Sequence, residues 1–136
     1  YPYLYAMPKQ RTLKQPVSVQ GVGLHTGKVC TLTLNPAPEN TWFVFRRLDL
    51  EGKPQILADA DNVKDTARGT KLEQNGASIS TTEHVLAALL GSEIDNCLID
   101  VDGPEVPILD GSSMPFVKAI EQAGVVEQSA ERNYLS

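Results

Sequence analysis

Apolar and polar positions alternate weakly from Thr12 to Val22 and clearly from Lys28 to Leu34, where Cys30, Leu32 and Leu34 share one face. A period of two marks a half-buried strand. Between these runs lies Gly21-Val22-Gly23-Leu24-His25-Thr26-Gly27, a glycine-punctuated turn, so the two runs predict a hairpin. Pro36 and Pro38 end its second strand. Trp42 to Leu48, aromatic and β-branched, predicts a third strand. Asp49 to Pro54 reads as a turn, and Ile56 to Val63 is divided between a short strand and a loop. Arg68 to Glu73 and Ala77 to Ser80 flank Asn75-Gly76, whose two residues both tolerate positive φ, and this predicts a second hairpin.

The period then changes. A helix is predicted from Thr81 to Leu90, with Val85, Leu86, Leu89 and Leu90 as its apolar stripe and Gly91 as its stop. Ile94 to Asp102 reads as a strand with Cys97, Ile99 and Val101 facing inward. The two prolines of Gly103-Pro104-Glu105-Val106-Pro107 deny ladder hydrogen bonds and make that segment a loop. A second helix is predicted over Pro115 to Ala123, with Ser112 or Ser113 as N-cap and Gly124 as stop. Strands, helix, strand and helix in that order give an α+β fold, a two-layer sandwich of an antiparallel-rich sheet with two helices on one face.

Composition narrows the functional classes. With 136 residues, 41% hydrophobic and 21% charged, the chain fits one domain with a real core. A net charge of −5 and the absence of basic runs argue against a nucleic-acid partner. No stretch approaches the ~20 apolar residues needed to span a bilayer, and the chain reads as cytoplasmic. Cys30 and Cys97 are far apart, form no Cys-x-x-Cys pair, and read as buried reduced thiols. Residues 1–8, opening Tyr1-Pro2-Tyr3-Leu4-Tyr5-Ala6, read as a tag-like or disordered end, which leaves 9–136 as the domain.

Ser80-Thr81-Thr82-Glu83-His84 lies where a strand turns into a helix, and two readings stand side by side. In one, Ser80 and Glu83 form a capping box, each satisfying an orphan amide at the helix start. In the other, the helix end lets two adjacent side chains reach one cleft, where an imidazole can bind Zn²⁺ and a carboxylate can take a proton from water. Local chemistry leaves the metal case incomplete. Catalytic zinc usually takes three protein ligands, and neither His84 nor His25 has a ligand-type residue at i+3 or i+4.

Four segments carry a resemblance: Gly21 to Gly27, Thr81 to Leu89 (Thr-Thr-Glu-His-Val-Leu-Ala-Ala-Leu), Ile94-Asp95-Asn96, and Asp102 to Ser113. Together, in that order, they resemble the first half of the UDP-3-O-acyl-N-acetylglucosamine deacetylase family, over roughly Lys9 to Leu135. The resemblance implies a zinc amidase that removes an N-acetyl group from UDP-3-O-acyl-N-acetylglucosamine in lipid A synthesis. It implies His84 as a zinc ligand and Glu83 as the general base. It places His25, Thr82 and Asp110 on the substrate side, although His25 also reads as a turn residue among glycines and Asp110 as turn and capping chemistry. The family's second domain supplies the other ligands, a His and an Asp, and a further catalytic His; no such motif occurs in this chain. The chain is therefore expected to be an N-terminal domain with a partial zinc site, inactive alone. Its expected partner is that second domain or another copy of itself, meeting the face around His84. The alternative is an isolated interaction or folding domain of the same fold.

Overall fold

A computed structural model describes residues 8–66 and 69–132, with the side chains of residues 65, 66 and 69 left aside. The expectation for the first residues therefore lies, Pro8 apart, outside the described residues, as does Arg68 at the predicted start of one strand.

The chain runs β1 (Lys9–Leu13), β2 (Val17–Val22), β3 (Val29–Pro36), β4 (Phe43–Arg47), β5 (Gln55–Leu57), a 3-10 turn (Ala60–Asn62), β6 (Val63–Thr66), β7 (Gly69–Gln74) and β8 (Ala77–Ser80). Helix α1 (Glu83–Gly91), β9 (Cys97–Val101), α2 (Met114–Ala123) and β10 (Val125–Glu131) complete it. The strands form a five-stranded sheet of order β2-β3-β9-β4-β5, a three-stranded sheet β6-β7-β8 and a two-stranded sheet β1-β10. Among the described residues every strand-to-strand ladder is antiparallel except β4 with β9, where Phe43 lies opposite Cys97 and Phe45 opposite Ile99 in parallel. This is the α+β, antiparallel-rich arrangement expected. No helix among the described residues is long and apolar enough to cross a membrane.

The alternating faces meet as predicted. Cys30, Leu32 and Leu34 of β3 and Cys97, Ile99 and Val101 of β9 are all buried, and all but Cys30 join Phe43, Phe45 and Ile56 in one core. Leu72 and Ile79 from the small sheet join the same core, as do Val85 and Leu89 of α1 and Phe116 and Ile120 of α2. Each such side chain contributes on the order of 1.5–3 kcal/mol when removed from water. Cys30 and Cys97 are both buried and unlinked. Burial above all pushes their thiols up to about 11 and about 12, so neither is a nucleophile at neutral pH.

The turns follow their residues. Asn75 and Gly76 both have positive φ (56° and 75°) between the paired Gln74 and Ala77, the geometry of a tight hairpin. Helix α2 stops at Gly124 (φ 86°) as expected.

Helix α1 differs at both ends. Its N-cap position is Thr82, which makes no side-chain cap hydrogen bond, and Ser80 stays in β8. The capping box does not form. At the other end Gly91 is the last helical residue, and the left-handed position falls on Glu93 (φ 58°). The Glu93 amide donates to the Leu90 carbonyl at 3.0 Å and the Ile94 amide to the Leu89 carbonyl at 2.9 Å. This is a Schellman closure, with Ile94 buried beneath it. The buried stripe is Val85, Ala88 and Leu89, whereas Leu90 is exposed.

Three strands were not foreseen. The alternation from Thr12 to Val22 is interrupted after Leu13, so β1 is a separate strand and pairs with β10, more than a hundred residues away in sequence. β6 extends the small sheet.

Candidate functional site

The site is built where β8 becomes α1. Thr81 has φ 62°, a left-handed conformation that a β-branched residue rarely adopts. It reverses the chain at once, so that the strand ending at Ser80 gives a helix starting at Glu83. The Thr70 carbonyl on β7 accepts the amides of Thr81 (2.9 Å) and Thr82 (3.5 Å). The Thr70 amide in turn donates to Glu83 Oε2 at 3.3 Å.

Because the capping box is absent, the Glu83 carboxylate is not folded back onto its own helix. Its side chain is 38% exposed and that of His84 30%, and His84 Nε2 lies 3.9 Å from Glu83 Oε1. A half-exposed imidazole thus stands beside a half-exposed carboxylate on the first turn of a helix, where no preceding turn covers them. That pair can bind a cation through nitrogen and accept a proton on the neighbouring oxygen. A catalytic zinc takes three protein ligands. Among the described residues no group of three His, Cys, Asp or Glu side chains gathers to hold a metal ion. The described residues therefore fit one ligand of such a centre and not a complete one.

Thr82 is fully buried, and its hydroxyl is the one buried side-chain polar atom without a hydrogen-bond partner among the described residues. Asp110 is exposed, and its Oδ1 accepts from the Ser112 amide (2.9 Å) and hydroxyl (2.7 Å). These bonds hold its carboxyl below the usual range. They also shape the turn, with Leu109 at φ 53° and Gly111 at φ 81°, that leads into α2.

His25 is drawn to the same region by a residue that sequence reasoning passed over. The carboxylate of Glu105, only 2% exposed, accepts the His25 amide at 2.9 and 3.2 Å and the Thr26 amide at 3.1 Å. It also accepts the Thr81 hydroxyl at 3.1 Å. Burial pushes its pKa up. The two amides, the Thr81 hydroxyl and nearby His25 outweigh burial and hold it below the ordinary glutamate value. The glycines of the turn make room for this clasp. A Cβ on Gly23 would lie 2.6 Å from Glu105 Oε2, and one on Gly21 would lie 2.7 Å from Leu109 Cδ2. One signal for Glu105 was available: it is a lone acid in an otherwise apolar, proline-flanked loop.

Three of the four sequence segments are thus tied together at one carboxylate. The fourth is a structural knot. Buried Asn96 accepts the amides of Thr41 (2.9 Å) and Trp42 (2.8 Å) and donates to Gln10 (2.9 Å) and Gln128 (2.7 Å). Asp95 accepts the Arg11 amide at 2.8 Å and Arg132 Nε at 2.9 Å.

Residues 10–136 match the family model described as UDP-3-O-acyl N-acetylglycosamine deacetylase. The chain is 55% identical over 128 residues to the bifunctional enzyme LpxC/FabZ of Bacteroides thetaiotaomicron, which covers 94% of the chain and 28% of that relative. It is 51% identical to the UDP-3-O-acyl-N-acetylglucosamine deacetylase of Saccharophagus degradans, covering 95% of the chain and 43% of the relative. It is 52% identical to the enzyme of that name from Idiomarina loihiensis, covering 95% and 42%. The chain therefore spans less than half the length of these relatives.

Proposed function

Because the chain belongs to the UDP-3-O-acyl N-acetylglycosamine deacetylase family, we propose that it forms part of a zinc-dependent hydrolase that removes the N-acetyl group from UDP-3-O-acyl-N-acetylglucosamine in lipid A synthesis, in the cytoplasm. The observation that carries the reading is the pair of half-exposed side chains Glu83 and His84, 3.9 Å apart on an uncovered first helical turn.

In this reading His84 is one of the protein ligands of the zinc ion. The remaining donors come from a second domain, for which the greater length of the relatives leaves room. Zinc, when bound, polarises the amide carbonyl and acidifies water. Glu83 supplies the proton acceptor. Its Oε2 is steadied by the Thr70 amide, while Oε1 faces His84. His25 and Asp110 border the substrate, His25 from the clasped turn and Asp110 from the turn before α2; Thr82 is buried at the N-cap position of α1, next to the reacting pair in the chain. The 136 residues alone bind zinc weakly and do not turn over.

The test uses the complete polypeptide that carries this chain. His84→Ala lowers zinc content and turnover together, whereas Glu83→Gln keeps zinc and lowers turnover by about 10²–10⁴-fold. Near-normal turnover in Glu83→Gln would move the general base elsewhere. Tight one-to-one zinc in the 136-residue chain would overturn the shared site.

A further inference from the structure

Thr81 is the most strained point beside Glu83 and His84. A buried, β-branched residue at φ 62° persists only where its surroundings dictate it. Two contacts do so. The Thr70 carbonyl holds its amide, and Glu105 Oε1 holds its hydroxyl. The same carboxylate holds the His25 and Thr26 amides, so one buried side chain spans the strained turn and the His25 loop.

We infer that Glu105 is a positioning residue: through Thr81 it sets the direction in which Glu83 and His84 leave β8, and it locks the His25 loop to that turn. The inference rests on the reading of Glu83 and His84 given above. An ionised carboxylate suits the task because it only accepts, and its oxygens have lone pairs enough for all three donors. A carboxamide of the same shape has one accepting oxygen, and its NH₂ would face a donor. The loop bearing Glu105 does not need the carboxylate to stay docked. The Ser80 amide donates to the Pro104 carbonyl (3.0 Å), the Val106 amide to Ser80 (3.1 Å) and the Ile108 amide to Val22 (3.0 Å). Backbone bonds hold the loop, which leaves the side chain to aim the turn.

The test is steady-state kinetics on the complete polypeptide, with circular dichroism confirming the fold at the assay temperature. Glu105→Gln is expected to lower kcat about tenfold to a hundredfold while KM stays within about threefold, the mark of misaimed groups. Thr81→Ser keeps the hydroxyl and is expected to keep kcat, whereas Thr81→Val loses it and follows Glu105→Gln. Combined with Glu105→Gln, Thr81→Val should add little further loss, because both break one link. Unchanged kcat in Glu105→Gln, or equal losses in Thr81→Ser and Thr81→Val, would overturn the inference. If Glu105→Gln does not fold, the two Thr81 variants decide. Turnover that survives both Glu83→Gln and His84→Ala overturns this inference together with the proposed function. Turnover abolished by those two but indifferent to Glu105→Gln overturns this inference alone.

Discussion

Thr81 and Thr82 are adjacent, both buried and chemically identical, yet the structure assigns opposite signs to the same substitution. The Thr82 hydroxyl is buried without a partner among the described residues and makes no cap bond to α1. Leaving a buried hydroxyl unpaired costs about 1–3 kcal/mol. Valine keeps the β-branched shape and replaces the hydroxyl with a methyl group, so Thr82→Val is expected to stabilise the chain by about 1 kcal/mol. For a chain of this size that raises Tm by roughly 3–5 °C. The Thr81 hydroxyl instead donates to the Glu105 carboxylate, and a hydrogen bond to a charged group is worth about 1.5–3 kcal/mol. Thr81→Val is therefore expected to lower Tm by several degrees. Thermal unfolding followed by circular dichroism, with urea titrations at constant m, measures both. A fall in Tm for Thr82→Val would show that its hydroxyl is bonded in the folded chain and would refute the reasoning. Unchanged stability with lost turnover in the complete polypeptide would place that hydroxyl against the substrate.

Other measurements probe other elements. Glu105 has a depressed pKa in the folded chain, so its stabilisation is complete above the ordinary glutamate value of about 4.3 and is lost as pH falls through the lower folded value. Urea titrations across that acid window should show a steep loss that Glu105→Gln flattens; an identical slope in the variant would count against the clasp. Asn96→Ala leaves the Thr41 and Trp42 amides and two glutamines without their shared partner, and is expected to cost about 3 kcal/mol or more. A cost near zero, read from the urea midpoint, would mean that β1 and β10 are held by other contacts. Glu93→Gly relieves a non-glycine residue in the left-handed position and should stabilise by about 0.5–1 kcal/mol. The gain should be clearest in high salt, where the ion pairs of Glu93 with Arg11 and Arg132 are screened; destabilisation there would contradict the Schellman assignment.

The hairpins, the faces of β3 and β9, the course of α2 and the pairing of Glu83 with His84 were legible in the chain itself. Each depends on a period or on turn residues acting over a few positions. Asn75-Gly76 needs only its own backbone freedom, and Cys97, Ile99 and Val101 need only the alternation of a strand. What the chain could not disclose are features whose causes lie far off in sequence. β10 has an undistinguished polar sequence and becomes a strand because β1 and the Asn96 knot await it. Glu93 rather than Gly91 closes α1, because burying Ile94 fixes where the helix must end. The capping box suggested by Ser80 and Glu83 yields to a strained turn at Thr81, since Thr70 and Glu105 supply hydrogen bonds that a local motif cannot match. Four motifs in register announced that a site existed, but only the folded chain shows three of them meeting at Glu105. A buried carboxylate must find its donors wherever the tertiary structure provides them.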